Sequence, residues 1–191
     1  MNRRNAISRI ILLAGGFAGA YAGFKGYQLL KEPELRKLKS YRGLIDELAE
    51  TIIPATDTPG AKEAGVGTFV SKMILECCSR KNQNNFLDGL QDLAVFAIIR
   101  YGKPYEKCST TQKETILHYF ERKGARYSGL IGKAQRVVMG DSFFSILKKY
   151  SILGYCTSKK GATEALVMDY VPGKYIGSVP LKPGQRGWAI Y

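Results

Sequence analysis

The chain has 191 residues, 45% hydrophobic and 24% charged, with 29 lysines and arginines against 16 acids and a net charge of +13. That is the composition of one globular domain; it excludes a disordered or collagen-like chain. The positive excess points to nucleic acid, an anionic membrane surface or an acidic protein, and the single histidine, His118, excludes a His-rich zinc site or a bis-histidine haem.

The N-terminus stands apart from the rest. Arg3, Arg4 and Arg9 precede an uncharged run from Ile10 to Phe24, and Ala20-Tyr-Ala22 supplies small residues at a cleavage position. The run is short for a membrane span, which needs about 20 apolar residues. The Arg3-Arg4 pair resembles a twin-arginine export signal, with Ile7 in the leucine place, Ala6 in place of the aromatic and Ser8 in place of the lysine. Residues 1–22 are expected to be this signal; an uncleaved amphipathic or anchoring N-terminus is the alternative. Both readings place the remainder outside the bacterial cytoplasm, in the periplasm, or at the membrane.

From Glu34 the apolar positions Leu35, Leu38, Tyr41, Leu44, Ile45, Leu48 and Ile52 recur at helical spacing up to Pro54. Residues 54–65 then form a turn-rich loop, with Pro54, Thr56, Asp57, Thr58, Pro59, Gly60 and Gly65 as its candidate structural or interface residues. A second helix carries Val66, Phe69, Val70, Met73, Ile74 and Cys77. A third, from about Asn84 to Tyr101, is expected to bury Phe86, Leu87, Leu90, Leu93, Ala94, Ala97 and Ile98. Thr111-x-x-Glu114 reads as a capping box opening a fourth helix, which ends at Gly124. A fifth is expected from about Leu130 to Tyr150, with Val137, Val138, Phe143, Phe144, Ile146 and Leu147. The fold class is therefore all-α, an irregular bundle of about five helices over residues 23–154.

Residues 155–191 have a different character, with prolines, glycines and aromatics and no sustained helical period. Such an arm is too aromatic to sit free in water and is expected to lie on a partner or on the body. Charge is uneven too: residues 23–107 hold 13 basic and 11 acidic side chains, residues 108–191 hold 13 and 5.

Nothing reads as catalytic. Phosphate-loop and dinucleotide motifs are missing, Ser142 and Ser151 lack a nucleophile context, and the carboxylate pairs Glu47 with Glu50 and Asp88 with Asp92 read as solvated helix faces. Cys77, Cys78, Cys108 and Cys156 have no metal-site or haem-attachment spacing; if oxidised, they allow three pairings. Arg122, Lys123, Arg126, Lys133 and Arg136, interspersed with Tyr119 and Tyr127, could meet nucleic acid, but an exported protein favours an acidic protein or anionic lipid.

Glu50-Thr-Ile-Ile-Pro-Ala-Thr-Asp-Thr-Pro-Gly-Ala-Lys-Glu-Ala-Gly-Val66 closely resembles the signature of the gluconate 2-dehydrogenase subunit 3 family. The segments Leu153-Gly-Tyr-Cys-Thr-Ser158, Tyr170-Val-Pro-Gly-Lys-Tyr175 and Gly177-Ser-Val-Pro180, and the closing Gly184-Gln-Arg-Gly-Trp-Ala189, resemble its C-terminal pattern. Many relatives have cysteine where this chain has Ser178.

The resemblance implies a non-catalytic small subunit with no cofactor of its own. Its partner would be a large flavoprotein of the glucose-methanol-choline type, which holds FAD and oxidises a sugar or polyol; a multi-haem cytochrome c subunit often completes the complex. The twin-arginine peptide would carry the folded flavoprotein across the membrane. In that setting residues 155–191 are expected to bind the partner, through Tyr155, Tyr170, Pro172, Gly173, Tyr175, Pro180 and Trp188. The competing expectation is a stand-alone basic helical protein for anionic lipid or nucleic acid.

Overall fold

A computed structural model describes residues 31–125 and 129–168, with Gly19, Gly23, Gly26, Tyr27, Gly173, Ser178, Pro180, Leu181 and residues 183–189. The described residues are helical: α1 (Lys37–Ser40), α2 (Arg42–Ile52), α3 (Val66–Cys77), α4 (Arg80–Tyr101), α5 (Thr110–Gly124), α6 (Gly129–Met139) and α7 (Phe143–Thr157). A 3₁₀ turn (Tyr105–Lys107) precedes α5 and a π-helical turn (Gly161–Ala165) follows α7. Among these residues pairing of extended backbone is confined to one parallel bridge, Val167 with Trp188.

The bundle is built around α7, which packs on α2, α3, α4 and α5. Its buried face is Phe143, Ile146, Leu147, Tyr150, Gly154 and Tyr155, a 3.6-residue period that meets Ile45 and Leu48 of α2, Val70 and Ile74 of α3, Phe86 and Leu90 of α4 and Phe120 of α5 in one core. Phe143 anchors an aromatic cluster there, its ring centroid 5.5 Å from that of Phe86 and 6.0 Å from that of Phe120.

The first expected helix is broken at Tyr41 (φ −90°, ψ 6°), where the Ser40 hydroxyl donates to the Lys37 carbonyl and competes with the main chain for it. α4 starts at Arg80, ahead of Asn84, because Ser79 caps it by accepting from the Asn82 N–H. The capping box of α5 is Ser109 with Gln112, not Thr111 with Glu114: Ser109 Oγ accepts from Gln112 N at 3.4 Å and the Gln112 side chain accepts from Ser109 N at 3.1 Å. The 3₁₀ turn and the buried Cys108 bring the chain into the helix two residues earlier.

The expected helix from Leu130 to Tyr150 is two helices. Gly140 takes a left-handed φ of 76° and Ser142 caps α7 by accepting from Ser145 N. Two asparagines of α4 hold the corner. Asn82 Oδ1 accepts from Asp141 N at 2.8 Å, and Asn85 Nδ2 donates to the carbonyls of Met139 and Asp141, each at 2.8 Å. Val137 and Val138 consequently point to solvent, 76% and 64% exposed, and so does Ile98 of α4, which the period placed inside.

The boundary expected at Gly154 falls inside α7, which continues to Thr157. Gly154 is a packing glycine: a Cβ there would lie 2.6 Å from Phe69 Cδ1, so its absence lets α3 and α7 approach closely. Tyr155, assigned from sequence to the arm, is buried in the core.

Candidate functional site

The loop that joins α2 to α3 is fastened at its base by side chains from two helices, by the chain just after α7 and by its own backbone. Glu50, in the last turn of α2, accepts from Ala55 N at 3.1 Å and from Lys62 N at 2.7 Å, so one carboxylate closes the loop at both ends. Gly60 backs onto that carboxylate; a Cβ at Gly60 would lie 2.2 Å from Glu50 Oε1. Ala61 N donates to the Ile53 carbonyl at 3.0 Å, Ala61 is fully buried, and Gly65 turns into α3 with φ 72°. From α7 the Tyr155 hydroxyl donates to the Pro59 carbonyl at 2.7 Å. Lys160 pairs with Glu63, which ties the far side of the loop to the chain just after α7.

Next to it, Glu47 accepts from Lys113 of α5 at 2.7 Å and from Lys62 of the loop at 2.5 Å. Hydrogen bonding by these two ammonium groups holds its carboxyl below the usual range. Its neighbour Asp46 moves the other way, because burial raises it. Thr51 donates to the Glu47 carbonyl at 2.8 Å and accepts from the buried Tyr105 hydroxyl at 2.9 Å; desolvation pushes that phenol far above its ordinary value. Glu47 and Glu50, read from sequence as a solvated face, are instead the posts on which the loop is mounted.

The apex is left to solvent. Pro54, Ala55, Thr56 and Asp57 are exposed, while Thr58 and Pro59 are half-buried. Thr56 N donates to the Thr58 carbonyl at 3.0 Å and Thr56 Oγ1 donates to Asp57 Oδ1 at 3.0 Å, so the apex is shaped by its own turn. The arrangement presents a fixed, mostly uncharged knuckle, which is suited to contact.

The other expected site residues lie elsewhere. Trp188 is 47% exposed and held to the body by Val167 N donating to Gly187 O and Ala189 N donating to Val167 O, both at 2.9 Å. Arg186 donates to the Glu164 carbonyl at 2.8 Å, so this end of the arm returns to the π-helical turn. Gly173 and Pro180 are exposed. Arg3, Arg4, Tyr170, Pro172 and Tyr175 lie outside the described residues. His118 is on the surface, its side chain 73% exposed and 3.3 Å from Glu121. All four cysteines are free thiols; Cys108 is buried and Cys78 Sγ donates to the Tyr150 hydroxyl at 3.4 Å. Among the described residues no cluster of three metal-ligating side chains occurs, and no helix is long and apolar enough to cross a membrane.

The loop's fastening draws on residues whose sequence signal is faint. Glu50 opens the motif of the loop but looks like any surface glutamate; Tyr155 is 96 residues from its acceptor.

The family model described as gluconate 2-dehydrogenase subunit 3 fits residues 40–177, which take in α2 to α7 and the whole loop. No curated protein matches the chain, and no solved structure does.

Proposed function

Because the chain belongs to the gluconate 2-dehydrogenase subunit 3 family, we propose that it is the non-catalytic small subunit of a periplasmic, FAD-dependent dehydrogenase of sugars or polyols. The match over residues 40–177 carries this reading. The loop adds to it: the carboxylates that could have served as acid or base are engaged in structural bonds, and what reaches the surface is a rigid knuckle.

In this reading FAD and the oxidation belong to a glucose-methanol-choline type large subunit, and a multi-haem cytochrome c passes electrons on. The small chain escorts the folded, flavin-loaded subunit through twin-arginine export, using Arg3 and Arg4, and supports assembly at the membrane. Folded cargo is the reason for that route, since a flavoprotein acquires its cofactor while folding in the cytoplasm. The knuckle and the arm are the contact surfaces, with Trp188 as an exposed aromatic anchor.

The test is co-expression of the two chains with Arg3 and Arg4 both changed to lysine. Dye-linked sugar oxidation should disappear from the periplasm while the flavoprotein accumulates inside; undiminished periplasmic activity would remove the escort role. Docking is tested by ending the chain after Leu166, which spares α7 and Tyr155. Co-purification of the flavoprotein should fall, and full retention would take the arm out of the interface.

A further inference from the structure

One stretch of α4 receives two parts of the chain that favour membranes. Asn84 Nδ2 donates to the Lys31 carbonyl at 2.9 Å and Lys31 Nζ lies 3.7 Å from Asp88, so residues 1–30 join the body here. The adjacent Asn85 donates to the Met139 carbonyl at 2.8 Å, and Lys81 Nζ donates to the Val137 carbonyl at 3.2 Å, which fixes the C-terminal tip of α6 at the same place. Lys31 and the tip of α6 are therefore held by neighbouring residues of one helix.

The tip has the chemistry of a surface-seeking helix. Val137 and Val138 are 76% and 64% exposed, and Lys133 and Arg136 are exposed on the same helix. Residues 121–149 hold seven basic side chains and two acids, Glu121 and Asp141, which are engaged by Lys148 at 3.6 Å and Arg136 at 3.1 Å. Of the basic residues, Arg122, Lys133 and Lys149 are exposed, so this stretch carries a positive excess at the surface. The N-terminal segment repeats the pattern, three arginines followed by the uncharged run Ile10–Phe24.

Charge distinguishes an anionic bilayer from an apolar protein groove. Along α6, Leu130, Ala134, Val137 and Val138 recur at spacings of three and four, and the charged residues of the helix are Lys133 and Arg136 with no acid, the composition of an interfacial helix. Val95, Ile98 and Ile99 of α4, 47%, 54% and 79% exposed, have the same spacing but lie between Asp92 and Arg100, one charge of each sign. That face of α4 therefore lacks the basic excess that an anionic bilayer attracts.

We propose that the tip of α6 is a membrane-surface contact, in which Val137 and Val138 enter the headgroup boundary of an anionic bilayer while Lys133 and Lys149 meet lipid phosphates. The contact goes beyond the accessory-subunit reading and does not depend on it, because no flavoprotein is needed for it.

The experiment uses the full chain carrying V138W and W188F, with vesicles of brominated phosphatidylcholine alone or mixed equally with brominated phosphatidylglycerol. The V138W indole should be quenched by the mixed vesicles and hardly by phosphatidylcholine alone. K133Q should weaken binding to the mixed vesicles about fivefold, and I99E should leave it unchanged. Binding with the V138W indole unquenched would show that residues 1–30 alone hold the chain, and would overturn the proposal. So would an absence of vesicle binding, a loss caused by I99E rather than K133Q, or a V138W signal that changes only when the co-expressed flavoprotein is added.

Discussion

Residues 53–65 and residues 166–189 are both rich in proline and glycine, yet they are held in opposite ways. The first segment is gripped from outside itself by Glu50, Tyr155 and the Glu47–Lys62 pair, and its alanine at 61 is fully buried. The second, where described, touches the body through the Val167–Trp188 bridge and the Arg186–Glu164 bond, and its side chains are mostly exposed. Composition alone marks both as non-helical. What makes one rigid is a set of partners that come from other helices.

The sharpest way to break this contrast is Glu50→Ala, which strips the acceptor from two loop amides and should cost about 2–4 kcal/mol in urea unfolding. A loss below about 0.5 kcal/mol would mean that the loop holds itself. Gly60→Ala should cost about 1–3 kcal/mol by pushing the same carboxylate off its donors. Much of that cost should vanish in the Glu50→Ala background, since the two changes act on one contact. An additive double mutant would assign the Gly60 cost to backbone effects.

Acid should loosen the first segment and leave the second alone. Because the folded pKa of Glu47 lies below its ordinary 4.5, its contribution is complete above about that pH and is lost as pH falls through the lowered value. Asp46, raised above its ordinary 3.8, works against this trend, since its folded state takes up a proton more readily. Glu47→Gln should therefore flatten the acid limb of stability against pH; a curve of unchanged slope would place the acid sensitivity elsewhere. Tyr155→Phe should cost about 1 kcal/mol, the value of one neutral hydrogen bond. Trp188→Ala should stay within about 0.5 kcal/mol, and a larger loss would mean that the tail is a structural strap.

The helices could be read to the extent that their causes were local. α3 begins and ends where Val66, Val70, Ile74 and Cys77 place it, the helix before Pro54 stops as expected, and α4 ends at Tyr101, where Gly102 turns left-handed. The single helix drawn from Leu130 to Tyr150 overlooked Gly140 followed by Ser142, a left-handed glycine and a cap, because the apolar period runs on across the corner. Asn82 and Asn85 pin that corner from 54 to 59 residues away, through amide contacts that leave no period. Glycine had two meanings as well: Gly140 ends a helix, whereas Gly154 lies inside one and serves only to admit Phe69. The loop was found by its turn residues, but its fastening by Glu50 and Tyr155 lies in pairings that only the folded chain brings together.

The corner at the start of α4 uses a different kind of bond from the loop. Asn82, Asn84 and Asn85 fasten the α6–α7 turn and the Lys31 backbone through neutral amides, which neither titrate nor attract counterions. A clamp of this kind keeps the same strength in acid, in brine and against a charged membrane, where ion pairs such as Glu47–Lys62 would weaken. Where the ion pairs at the same end, Lys31 with Asp88 and Arg136 with Asp141, give way, these amide bonds would still hold the corner.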